Sequence, residues 1–110
     1  MNRIAMSPAA AALLRGLLAR SPDDRDRILL TEYRTTDWQS LTFVGERHEF
    51  RFRISGPDAE NTYSQLTLGL EDSEFAIPRH VLADVVVEGR PTRESDGSIS
   101  FGIEALTIAE

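Results

Sequence analysis

Two histidines are the side chains of this sequence best suited to chemistry near neutral pH. His48 lies in a strand-like stretch and His80 begins a valine-rich segment, with Glu49 and Asp84 close to them in the chain. Two imidazoles and a carboxylate can form an open metal site or a general-base site. However, no HxH or HExxH spacing is present, and a histidine at a strand end is more often a half-buried structural residue. A pocket built from His48, His80 and Asp84 is therefore the alternative hypothesis, and we expect no bound metal or cofactor.

A tryptophan and three arginines form the second candidate site. Arg47, Arg51 and Arg53 share one face of a predicted strand, and Trp38 is predicted to lie opposite Arg53. Tryptophan and arginine are enriched in the residues that dominate protein interfaces, and an arginine over an indole adds a cation–π attraction. The simpler interpretation is a solvated sheet face whose arginines pair with Glu49 and with acids of neighbouring strands. We expect this surface to bind a protein partner or a second subunit.

Other common chemistries lack their sequence patterns. The chain contains no cysteine and no lysine, which excludes thiol catalysis and the lysine of a phosphate-binding loop. Neither G-x-S-x-G nor G-x-G-x-x-G occurs. The acidic tract lacks the ligand ladder and central glycine of a calcium loop; its members are Glu71, Asp72 and Glu74, together with Asp58 and Glu60. We interpret them as the solvated face of a helix.

Composition limits the class of protein further. The 110 residues are 41% hydrophobic, which is typical of one globular domain spanning residues 1–110. A net charge of −6 disfavours nucleic-acid binding, which needs a basic surface.

No run of about 18 apolar residues is present, so we expect no membrane span. Arg15 interrupts the first apolar run, which disfavours a secretory signal. We therefore expect a cytoplasmic protein. The exclusive use of Arg over Lys, beside many Ala, is typical of GC-rich bacterial genomes.

The stretch 38–54 predicts the hairpin around which the fold is organised. Its second half alternates apolar and charged residues, which is the period of a strand with one buried face. Gly45-Glu46 fits a two-residue type II′ turn. The register set by that turn would place these apolar residues on one face: Leu41, Phe43, Phe50, Phe52 and Ile54.

Helices and a second hairpin flank this stretch. Ser7-Pro8 predicts the start of a helix that ends near Arg20, and a second helix is expected from Pro57 to about Asp72. The segment Ile28–Tyr33 is either a strand or a short helix; we favour a strand, followed by a bend over residues 34–37.

The second hairpin is predicted from a valine-rich strand and a turn at Asp96-Gly97. Leu106 and Ile108 break the alternation begun at Ile99, and a β-bulge near Glu104-Ala105 would return them to the buried side. Pro91 indicates that this hairpin projects or lies at a sheet edge.

Together these patterns predict an α+β protein, with an antiparallel sheet of four to five strands and two helices packed on one face. Since no catalytic motif is present, the favoured function is a non-catalytic interaction or regulatory module that binds a protein or associates with itself through the sheet.

Overall fold

The computed structural model describes residues 6–110 as a four-stranded antiparallel sheet with helices on one face. The elements are α1 (Pro8–Leu18), a 3₁₀ helix (Pro22–Arg27), β1 (Ile28–Gln39), β2 (Val44–Ile54), α2 (Ala59–Thr67), a second 3₁₀ helix (Leu70–Asp72), β3 (His80–Arg93) and β4 (Ile99–Ala109). The strands lie in the order β1-β2-β4-β3, so the two hairpins meet at β2 and β4. The predicted α+β class is confirmed. None of the helices between residues 6 and 110 is long and apolar enough to cross a membrane.

Local sequence signals explain both helices. The hydroxyl of Ser7 accepts a hydrogen bond from the Ala10 N–H at 3.1 Å, which caps α1 as the Ser-Pro pair predicts. The second helix is shorter than predicted because Gly69 adopts a left-handed φ of +67°. Leu70 nevertheless stays buried, since the chain continues directly into a 3₁₀ turn.

The core fills the space between the sheet and the helices. We call the helix-covered side of the sheet the inner face and the opposite side the outer face. Phe50 and Phe52 of β2 stack at 6.2 Å, Phe52 stacks on Phe101 of β4 at 5.5 Å, and Tyr63 of α2 meets Phe101 edge-on at 5.0 Å. Buried side chains from both helices complete this core: Ala9, Ala10, Leu13 and Leu17 of α1, and Ala59 and Leu66 of α2.

The first hairpin reverses at residues 40–43, so the predicted turn at Gly45-Glu46 is wrong. The Ser40 N–H donates to the Phe43 carbonyl at 2.9 Å. β1 and β2 then pair over eleven residue pairs, from Ile28 opposite Ile54 to Gln39 opposite Val44.

This longer pairing has a clear physical advantage. It uses residues 34–37, which we predicted as a bend, and so satisfies more backbone hydrogen bonds. A bulge at Thr31 lets both Leu30 and Tyr33 pack against the core, while Leu41 and Phe43 are left in solvent. The strand prediction for Ile28–Tyr33 is confirmed. The predicted cross-strand partners also differ: Trp38 lies opposite Gly45 rather than Arg53, and Phe43 does not face His48.

The predicted orientation of the second half of the hairpin is confirmed. Phe50, Phe52 and Ile54 are buried, and Arg51 and Arg53 remain partly exposed on the outer face.

The second hairpin contains a three-residue loop rather than a two-residue turn. The Glu94 N–H donates to the Ser98 carbonyl at 2.9 Å, and Gly97 takes a φ of +87°. This matches a type I turn followed by a left-handed glycine. The register therefore differs from the predicted one: Val87 faces Ile103 and Val85 faces Ala105.

The irregularities of this hairpin lie in β3 and not in β4. Register shifts occur between Leu82 and Asp84 and between Glu88 and Thr92, the latter spanning Pro91. Because β4 has no bulge, Leu106 and Ile108 stay on the outer face, and the predicted bulge at Glu104-Ala105 is wrong. The edge position predicted from Pro91 is confirmed, since β3 is an edge strand of the sheet.

Gly45 is required for close packing and not for a turn. A Cβ atom added there would overlap the carbonyl oxygen of Thr107 on β4, which is backbone and has little freedom to move. We expect Gly45→Ala to lower the free energy of unfolding by about 2 kcal/mol, as overpacking does. Val44→Ala, at the exposed neighbouring position, is the control and should change it by less than about 0.5 kcal/mol. Urea denaturation measures both, and equal stability of Gly45→Ala and wild type would contradict this assignment.

Candidate functional site

His48 is completely buried within the sheet. Its Nε2 lies 2.9 Å from the Thr107 hydroxyl of β4, and its Nδ1 lies 3.1 Å from the Thr35 hydroxyl of β1. The Thr35 hydroxyl donates in turn to the Tyr33 hydroxyl at 2.8 Å. A neutral imidazole can have both nitrogens satisfied here, because one ring nitrogen donates to a threonine hydroxyl and the other accepts from the second threonine. A ring held in this way has neither a free lone pair for a metal nor contact with solvent.

The surroundings of His48 favour its neutral form. Burial is the main cause that lowers the pKa of His48, because the imidazolium loses its hydration. The Glu46 carboxylate, 3.9 Å from Nε2, raises that pKa in part, and the charge of His80 lowers it again. Glu46 Oε1 also accepts a hydrogen bond from the Ser7 hydroxyl at 2.8 Å.

His48, His80 and Asp84 do not line one pocket. His80 is half-buried, and its Nδ1 lies 3.0 Å from the Pro78 carbonyl oxygen. It borders a cleft of about 370 Å³ that also contains Trp38 and Glu46 but includes neither His48 nor Asp84. Asp84 is exposed and lies opposite Leu106 on the outer face. Within residues 6–110 no group of three or more His, Cys, Asp or Glu side chains is arranged to hold a metal ion.

The structure assigns different surroundings to the three candidate arginines. Arg47 pairs with Glu104 of β4, and Arg53 pairs with Asp96 at 2.8 Å. Hydrogen bonds from the Ser98 hydroxyl and N–H lower the pKa of Asp96 to about 2, and Arg53 contributes to that shift.

Arg51 differs, because the described residues offer it no ion pair. One of its guanidinium nitrogens and the Glu88 carboxylate both lie 3.0 Å from the point that a Cβ of Gly102 would occupy. Gly102 therefore leaves a shallow gap between these two charges on the outer face.

Four apolar side chains of the outer face were not predicted to lie there. Residues that pair directly across strands share a face, and Trp38, Gly45, Ile108 and Val81 form one such row across the sheet. Leu106 lies two residues along β4 from Ile108, and Val86 lies diagonally across from Leu106. We call these residues the apolar patch: Trp38, Val81, Val86, Leu106 and Ile108.

Leu41 and Phe43 are exposed in the loop at the same end of the sheet. The break in alternation at Leu106 and Ile108 was the sequence signal for this patch, but we interpreted it as a bulge.

The remainder of the outer face is nearly neutral. Four arginines, at positions 34, 47, 51 and 53, stand against five acids, at positions 32, 49, 84, 88 and 104. Their net charge of −1 leaves −5 of the chain's −6 on other surfaces. Arg34 and Glu49 form a further ion pair at 2.6 Å. The groove over this half of the face, about 570 Å³, is lined by strand residues alone.

The comparisons with known proteins found no relative: no family model, no curated protein and no solved structure matches this chain. The fold itself defines the class of the protein, which is a two-layer α+β sandwich whose described helices pack on one face of the sheet.

The burial of His48 predicts a loss of stability between about pH 7 and 5. The unfolded chain binds a proton at His48 near its usual pKa of about 6.5, whereas the folded chain resists protonation until lower pH. The free energy of unfolding therefore falls as the pH falls, by about 1.4 kcal/mol for each unit by which the pKa is lowered. Urea denaturation across this range measures the slope, which His48→Gln should flatten.

The matched control is His80→Gln, which removes a half-exposed imidazole from the same end of the sheet. It should keep most of the slope, because the charge of His80 is the smallest of the three influences on the pKa of His48. The pKa values of Glu60 and Asp96 are lowered by contacts with Arg93 and Ser98, so those groups affect stability only at more acidic pH. A slope that survives His48→Gln unchanged would show that other groups cause it.

Proposed function

We propose that this protein is a non-catalytic interaction module whose contact surface is the outer face of its sheet. The observation that carries the proposal is the apolar patch around Trp38, on the face of the sheet opposite the buried core. Scattered exposed apolar residues are ordinary, but a contiguous set on one face is typical of a contact surface. Tryptophan at such a surface contributes large contact area at small entropic cost.

The charges around the patch support a partner of modest charge. Arg47 and Arg53 are already paired within the chain, so neutralising them adds little to the binding of an acidic ligand. Arg51 is the one candidate arginine that still offers its charge, near Glu88. A protein partner fits this face better than a nucleic acid, whose binding requires a basic surface. We also propose a cytoplasmic location, as expected from the sequence.

The alternative function, a ligand pocket or enzyme site with His48 and His80, has weaker support. Both nitrogens of His48 are engaged by threonine hydroxyls, and its ring has no exposed surface. General-base catalysis requires the base to reach a substrate proton directly or through one water. His80 borders an open cleft without a second imidazole.

Site-specific photo-crosslinking in the native host tests the proposal. A benzophenone amino acid at Val86, on the outer face, should give a defined adduct heavier than the chain alone. The same residue at Leu68, which is 80% exposed on the helical side, is the matched control and should give none. The absence of any adduct at Val86, or equal adducts at both positions, would contradict the proposed contact surface.

A further inference from the structure

We infer that the occupant of the outer face is a second copy of this chain, packed sheet against sheet about a twofold axis. The inference rests on the proposed function and names its partner. In such an arrangement the same patch on each copy meets its counterpart, as in other closed twofold dimers. Facing sheets pack about 10 Å apart, so side chains of both faces interdigitate.

The distribution of charge favours this occupant. The chain carries −6, so two copies repel each other over most of their surfaces. The outer face carries only −1 of that charge, and Arg34–Glu49 and Arg47–Glu104 are paired within each chain. It is therefore a surface on which two identical acidic molecules can approach at small electrostatic cost. Of the four arginines on this face, only Arg51 has no ion pair among the described residues, so a strongly acidic partner would find little positive charge to match.

The size of the face agrees with the size of a stable interface. Strands of 11 to 14 residues are roughly 36–46 Å long, and four strands are roughly 20 Å wide including side chains. This gives roughly 700–900 Å² on each copy, close to the ~800 Å² per partner of a standard interface.

Packing through the face is favoured over pairing through a sheet edge. β3 carries Pro91 and two register shifts, and β1 carries a bulge at Thr31. Bulges and proline on outer strands hinder continuous pairing with another chain. The two central strands of the outer face have no such interruption, since β2 and β4 pair regularly over ten residue pairs.

The single tryptophan lies in the patch and reports on its burial. We expect light scattering of the purified chain to give twice the monomer mass, and the emission of Trp38 to shift to the blue as concentration rises. Leu106→Glu places a carboxylate in the contact and should raise the dimer Kd at least ~10-fold, a loss of ~1.4 kcal/mol. Leu68→Glu makes the same chemical change on the helical side and should leave the Kd unchanged.

Circular dichroism establishes that each variant is folded, and Val81→Glu, at a more exposed patch position, replaces Leu106→Glu if the latter does not fold. A wild-type chain that is monomeric at all concentrations would overturn the inference. A dimer that survives both patch variants would also overturn it, because its contact would lie elsewhere. If the Val86 crosslink has a mass other than that of two chains, the contact surface stands but the second copy is excluded as its occupant.

Discussion

The stacked aromatic row on the inner face is the constraint on which the rest of the structure depends. Phe50, Phe52 and Phe101 are each almost fully buried and contact one another across β2 and β4. Burial of each such side chain contributes about 2–3 kcal/mol, and a one-residue slip of either strand would turn the row toward solvent. The central pair of strands is thereby fixed in register. β1 and β3 extend it on either side, and both helices bury their apolar stripes against it.

His48 continues this row along β2. Its ring stacks near Phe50 at 6.2 Å, and threonine hydroxyls on both neighbouring strands satisfy its two nitrogens. A buried polar group is tolerated when its hydrogen bonds are complete. The imidazole therefore ties β1, β2 and β4 together at one end of the sheet, which explains a histidine at this position without a catalytic role. The same arrangement is expected to make the fold sensitive to mild acid, since the threonine hydroxyl that donates to the neutral ring must rotate when the second nitrogen gains a proton.

The two faces of the sheet differ in the side chains that they carry. The inner face is apolar with polar exceptions that are hydrogen-bonded, whereas the outer face combines intrachain ion pairs with an apolar patch at one end. Ion pairs on an exposed sheet contribute little to stability, but they leave the face nearly neutral. A nearly neutral face with apolar side chains is the feature from which we propose contact with a second protein molecule.

Local sequence patterns by themselves determined several features of this protein. The alternation around Phe50 and Phe52 determined which side chains are buried, and Ser7-Pro8 determined where the first helix begins, because both depend only on neighbouring residues. Tertiary structure decided the register. A turn at Gly45-Glu46 and a reversal at residues 40–43 both satisfy local rules, and the second prevails because it pairs twelve-residue β1 along its length and buries Leu30 and Tyr33. The same holds for the face of the sheet on which Leu106 and Ile108 lie. That face, and with it the apolar patch, depends on how β4 pairs with its neighbouring strands, which no local pattern contains.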